Sequence, residues 1–144
     1  MAIKALDLSK IHEHVSIHDD DKDPKTATVF KLGVLSSRDV GRIRDTVTSV
    51  TISTTGAQNE DVSTNIEKSK MNFEALRRGL KGWSNFIGPD DKPVPFATHS
   101  RDVDGRQREV VRAELLDLIP LIVVEELAEL ILADNQATET DLKN

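Results

Sequence analysis

The sequence predicts an α+β fold, a small antiparallel sheet packed by two main helices. Three observations predict it. Residues 26–35 alternate in hydrophobicity with the two-residue period of a strand. Residues 47–55 are rich in Val, Ile and Thr, whose stiff branched side chains suit a pleated surface. Residues 64–81 and 120–133 each carry apolar side chains at the 3.6-residue spacing of a helix. At 144 residues the chain suits one domain with a core of useful size. It divides into an N-terminal arm and charged loop over 1–25, a single α+β domain over 26–135 and a polar C-terminal tail over 136–144.

In chain order, the arm ends in His18-Asp19-Asp20-Asp21-Lys22-Asp23-Pro24-Lys25, a charged run closed by proline that reads as a loop or hinge. The strand over 26–35 places Thr28, Phe30, Leu32 and Val34 on one face and Val29, Lys31, Gly33 and Leu35 on the other. Ser36 and Ser37 then offer N-caps for a short helix carrying Val40, Ile43 and Val47 on one face. A second strand is expected over 47–55, paired with the first. Thr64-Asn65-Ile66-Glu67 matches a capping box, and Ile66, Phe73, Leu76, Leu80 and Trp83 fall on a single helical face behind it. Arg77, Arg78 and Lys81 crowd the expected last turn, where cations favour the helix dipole, and Gly82 is the expected stop.

Gly88-Pro89-Asp90-Asp91-Lys92-Pro93 is turn chemistry, residues 94–97 suit a short edge strand, and Asp104-Gly105 marks a tight turn. Pro120 marks a boundary, with a short helical turn before it and a new helix after it. That last helix sets Val123, Leu127, Leu130 and Ile131 on one side, Ile122 and Val124 beside them, and Glu125, Glu126 and Glu129 on a narrow polar stripe. So wide an apolar arc calls for burial on more than one side. The pattern ends at Asn135.

Composition narrows the function. Acidic residues number 25 against 19 basic ones, a formal charge of −6, and phosphate-binding surfaces draw on the opposite excess. Direct nucleic-acid binding is therefore not expected. The absence of cysteine excludes disulfides, thiolate catalysis and Cys-ligated zinc. Residues 1–18 lack the apolar run of a signal peptide, and charges and Pro120 interrupt the apolar stretch over 115–133, so neither secretion nor membrane insertion is expected.

His12-Glu13-His14, with His18 and Asp19, is the one cluster with metal-ligand residue types, and a metal-dependent hydrolase built on it is the alternative class of function. No H-E-x-x-H motif supports it, and His12 and His14 share a face if the segment is extended. Asp19, Asp20, Asp21 and Asp23 lack the glycine and terminal glutamate of a calcium loop. Asp102 and Asp104 belong to a turn. No phosphate loop or G-x-S-x-G elbow is present. No catalytic, cofactor or metal residue is assigned. Arg77, Arg78, Lys81, Arg101, Arg106, Arg108 and Arg112 gather positive charge in the second half, serving the helix end and an electrostatic face for an acidic partner. Trp83, with Phe86 after it, either anchors its loop to the core or enters a partner's pocket. The candidate partner-binding residues are Trp83, Phe86, Val123, Leu127, Leu130 and Ile131.

The stretch Leu76-Arg77-Arg78-Gly79-Leu80-Lys81-Gly82-Trp83-Ser84-Asn85-Phe86, continuing through Pro89-Asp90-Asp91-Lys92-Pro93-Val94-Pro95-Phe96, resembles a pattern of small tailed-bacteriophage morphogenesis proteins. In these a Gly-Trp-x-Asn-Phe segment leads into a turn that carries glycine where Lys92 stands here. Leu118-Ile119-Pro120, Glu126 to Ile131 and the closing Lys143-Asn144 extend the likeness over the second half of the chain. The resemblance implies a virion structural subunit or a tail assembly chaperone, found in the host cytoplasm during assembly and in some cases in the virion. Its partners would be other phage structural or assembly proteins, in a homo-oligomer or hetero-assembly, with no cofactor and no catalysis.

Overall fold

The computed structural model describes residues 2–53, 60–103 and 105–135, and side chains within them except at 46–53, 60–67 and 134–135. The described elements are β1 (Ile11–Val15), β2 (Val29–Gly33), α1 (Ser37–Ser53), α2 (Glu60–Gly79), β3 (Leu80–Ser84), β4 (Thr98–Val103), β5 (Arg106–Val111), α3 (Ala113–Leu116) and α4 (Leu121–Asn135). The fold class is α+β. Strands β1, β2 and β3 form one antiparallel sheet with β2 in the middle, and β4 and β5 form a separate hairpin.

Strand β2 forms where the alternation predicts it. Being central, it buries side chains on both faces: Phe30 and Leu32 point one way and Val29 the other, while Lys31 alone is exposed. Strand β1 is a correction. Ile11–Val15 lies in the segment expected as a free arm, yet it pairs with β2 from Ile11 opposite Gly33 to Val15 opposite Val29. Its signal is weak because an edge strand with an exposed outer face needs few apolar residues.

A second correction concerns residues 47–55. Helix α1 runs through Ser53, so 47–53 are helical and not the predicted strand; 54 and 55 lie outside the described residues. The helix is started upstream by a cap at Ser36 and by Val40 and Ile43 packing into the core. Extending an existing helix costs far less than nucleating one, and strand preference is a weak term beside tertiary packing. Similarly, α2 is already helical at Glu60, so Thr64 stands a full turn inside the helix and cannot be its N-cap, which must be non-helical.

Helix α2 ends at Gly79, before the expected Gly82, because α4 crosses there. A Cβ on Gly79 would sit 2.7 Å from Ile131 Cγ2, so only glycine admits this approach. Leu80, expected in the last turn of the helix, and Trp83, expected in line with its apolar face just past the end, instead belong to β3, with Leu80 opposite Leu32 and Trp83 opposite Phe30. Spacings of three and four satisfy a helical pattern, but a β-bulge between Lys31 and Leu32 lets a strand bury the same positions.

Residues 94–97 do not form the expected edge strand. Pro93 bridges Ile87, Val94 N–H donates to Phe86 O at 2.7 Å, and pairing starts again only at Thr98. Of the tight turn expected at Asp104-Gly105, Gly105 is described: Val103 faces Arg106 and Gly105 has φ 81°, while 104 lies outside the described residues. The short helical turn before Pro120 is α3, and α4 follows directly, with Val123 and Val124 amides donating to Pro120 O. The core gathers Leu32, Leu35 and Ile43 with Leu76, Val111, Val124, Leu127 and Ile131, all essentially inaccessible. Each such side chain contributes about 1.5–3 kcal/mol by leaving water.

Candidate functional site

The charged site grows from the start of α1. Ser36 accepts the Asp39 amide on its hydroxyl at 3.1 Å, while Asp39 Oδ2 accepts the Ser36 hydroxyl at 3.1 Å and its amide at 3.4 Å. This reciprocal cap orients the carboxylate inward, where only 5% of Asp39 is exposed. The other oxygen, Oδ1, receives Arg78 Nη1 from α2 and Arg108 Nη1 from β5, each at 2.8 Å. Burial works against ionisation of Asp39, but the hydrogen bonds from Arg108 and Arg78, the Arg108 charge and the Ser36 contact outweigh it and hold the carboxyl below its usual range. One carboxylate thus joins both helices to the hairpin.

Around this junction a cleft of about 580 Å³ opens between α1, β3 and the hairpin. Among the described residues, Arg38, Lys81, Arg106 and Arg108 line it against one carboxylate, that of Asp39, with Leu8, Val34 and Val103 as its aliphatic wall. Among the described residues Arg38, Lys81 and Arg106 have no acidic partner. The Lys81 stem runs along Gly33, where a Cβ would meet Lys81 Cε at 2.8 Å. Burial, and after it the Arg108 charge, push the Lys81 amine below the usual lysine range, with Asp39 acting in the opposite direction. The cleft is therefore cation-rich and able to hold an anion. Its one hydroxyl, Ser36, is committed to the helix cap.

A second junction lies on α4. Glu126 Oε2 accepts the Ser16 hydroxyl at 2.5 Å, and Oε1 accepts the Ile17 amide at 2.8 Å and lies 3.1 Å from His14 Nε2. Burial again opposes ionisation, and the hydrogen bonds from Ile17, Ser16 and His14 overcome it, leaving Glu126 below its usual range. Serine, histidine and glutamate meet here in the wrong order for nucleophilic catalysis. Both Ser16 and His14 donate to the carboxylate, whereas an activated serine must give its proton to the histidine. The arrangement fastens the end of β1 to α4. His12 and His14 do share a strand face, with ring centroids 6.4 Å apart. Asp19 and Asp21 accept nearby backbone amides, and no metal-ligand group of three forms among the described residues.

The candidate partner-binding residues fall into two sets. Trp83, Leu127 and Ile131 are buried in the chain's own core, a correction to their placement on a contact surface. Trp83 donates its indole N–H to Val94 O at 2.7 Å and meets Phe86 and Phe96 edge-on, both with centroids 4.9 Å away. It anchors the proline-rich loop. Phe86, Val123 and Leu130 are partly buried at the rim of the core. The buried face of α4 centres on Val124, Leu127, Ala128 and Ile131, which turns Leu121 and Ile122 outward at 57% and 52% exposure. Leu118, in the turn between α3 and α4, is 50% exposed, and Ile17, held by Glu126 one helical turn from Ile122, is 73% exposed. These four form the exposed apolar ridge of the α3–α4 corner.

Ser36, Arg38 and Asp39 escape a reading built on apolar spacing. The signal that finds two of them is the S-x-x-D pattern at 36–39, a capping box with a shorter acid. With fold and site in place, comparison with protein-family models, with curated proteins and with solved structures returns no match. No described helix is long and apolar enough to cross a membrane.

Proposed function

We propose that this chain is a non-enzymatic assembly protein of the tailed-phage morphogenesis type, making protein–protein contacts as a tail-assembly-chaperone-like protein or a virion structural subunit in the host cytoplasm. The observation that carries the reading is the apolar ridge at the α3–α4 corner. Leu118 in the turn before α4, and Leu121 and Ile122 in its first turn, stand half exposed beside the neighbouring Ile17, while the opposite face of α4 is packed. Clustered apolar side chains left in water on an otherwise well-packed domain mark a contact surface. The likeness of the second half to phage morphogenesis proteins, which includes Leu118-Ile119-Pro120, supplies the biological setting.

The test separates ridge from core. Replacing Leu118, Leu121 and Ile122 together with serine is expected to leave thermal unfolding within a degree or two per substitution, a small surface effect. It is also expected to abolish self-association or co-purification with neighbouring particle proteins, read by sedimentation and by mass spectrometry of assembled particles. Leu127→Asp, a charge placed in the core, is expected to unfold the chain outright. A triple variant that assembles like the native chain removes the support for this reading.

A further inference from the structure

We propose that the cleft between α1, β3 and the β4–β5 hairpin is a binding site for an acidic peptide segment, seated by Arg38, Lys81, Arg106 and Arg108. Among the described residues four cations line the cleft with one carboxylate, Asp39, which is already engaged at 2.8 Å by Arg108 and by Arg78 from α2. Asp39 therefore fixes Arg108 in place without neutralising its neighbours. The Asp39 contacts preorganise one wall of the site, so less ordering cost falls on the ligand. Three of the four cations are arginines, whose planar donor forks match carboxylates in pairs. Arg38 also occupies the first turn of α1, a 17-residue helix whose dipole favours an anion at that end.

Three features select a peptide over other anions. The aliphatic wall of Leu8, Val34 and Val103 suits the methylene stems and small apolar neighbours of an acidic segment. Among the described residues no aromatic ring lines the cleft, which leaves no platform there on which single-stranded nucleic acid would stack. The net charge of −6 repels a long polyanion while a short segment meets only the local cations. The adjoining cavity of about 190 Å³ sets Glu74 and Asp102 against Arg77, Arg78 and Arg101, so the surplus of unmatched charge lies in the larger cleft.

The experiment measures fluorescence anisotropy of labelled hexaglutamate with the full chain, competed by pyrophosphate or by an oligothymidylate. Saturable, salt-weakened binding is expected. Arg106→Gln should weaken it about tenfold and Arg38→Glu with Arg106→Glu about a hundredfold, since a hydrogen bond to a charged group contributes about that factor. Among the described residues neither arginine has an acidic partner, and Arg38→Glu places favourable charge at a helix start, so thermal unfolding should not fall. Lys92→Glu, a charge reversal on the exposed turn outside the cleft, should change affinity less than about twofold, the scale of a surface charge pair. The proposal is overturned by failure of hexaglutamate to bind, by equal losses in the Lys92 and cleft variants, or by displacement at lower concentration with pyrophosphate or oligothymidylate than with unlabelled hexaglutamate. This outcome is independent of the apolar ridge, whose variants leave the cleft intact.

Discussion

The Asp39 and Glu126 junctions solve one problem with different donors. Each carboxylate sits on a helix, faces a burial cost and collects hydrogen bonds from segments distant in sequence. At Asp39 two guanidiniums supply permanent charge, joining α1 to α2 and β5. At Glu126 the donors are a hydroxyl, a backbone amide and a histidine, which hold the loop after β1 against α4. The difference lies in what is left when the acid goes. Losing Asp39 removes the charged acceptor shared by guanidiniums from two other elements, whereas losing the Glu126 charge leaves a hydroxyl, a backbone amide and an imidazole that a neutral acceptor or water can still meet. A carboxylate between two guanidiniums is therefore a stronger constraint on the fold than one held by a hydroxyl, an amide and an imidazole, even with similar geometry.

That contrast can be broken by substitution. Asp39→Asn is expected to destabilise the chain by about 3 kcal/mol, because it removes the charged acceptor that Arg78 and Arg108 share in a largely buried junction; urea unfolding with a shared slope checks it. Glu126→Gln keeps the shape but loses the charge and turns one acceptor oxygen into a donor, so about 1–2 kcal/mol is expected by the same measurement. If the Gln variant proves the more damaging, the ranking of the two junctions is reversed. The smallest effect is that of mild acid. Both carboxyls are held below their usual values in the folded chain, so their contribution is complete above the ordinary range, 3.8 for Asp39 and 4.5 for Glu126, and is lost as pH falls through the lower folded values. Stability should therefore hold steady from neutral pH down to that range and then decline. Comparing unfolding of the native chain with each variant across the acid range should show the difference closing for Asp39→Asn as the carboxyl protonates.

The functional surfaces were legible to different degrees. The excess of arginine over 77–112 was readable as an electrostatic face, and Arg106 and Arg108 do line the cleft. Arg38 and Asp39 were not readable as its partners, because they come from a helix start some seventy residues away and nothing local pairs Asp39 with Arg108. On α4 the excess of apolar side chains was visible, but which of them would remain outside was not. A helix with a wide apolar arc fits the core in more than one rotation, and the packing of Ile131 against Gly79 selects the one that exposes Leu121 and Ile122.

Local chemistry by itself determined the central strand over Val29–Gly33, the Ser36 start of α1, the turn at Gly105 and the break at Pro120. Each follows from a residue's own backbone preference or from a period over a few neighbours. Tertiary structure decided the rest. It kept residues 47–53 helical against their composition, took Leu80 out of α2 and set it with Trp83 in a strand, and enlisted Ile11–Val15 as a sheet edge. In each case the local free-energy difference between conformations is about 1 kcal/mol or less per residue, and the burial of a neighbouring side chain is larger.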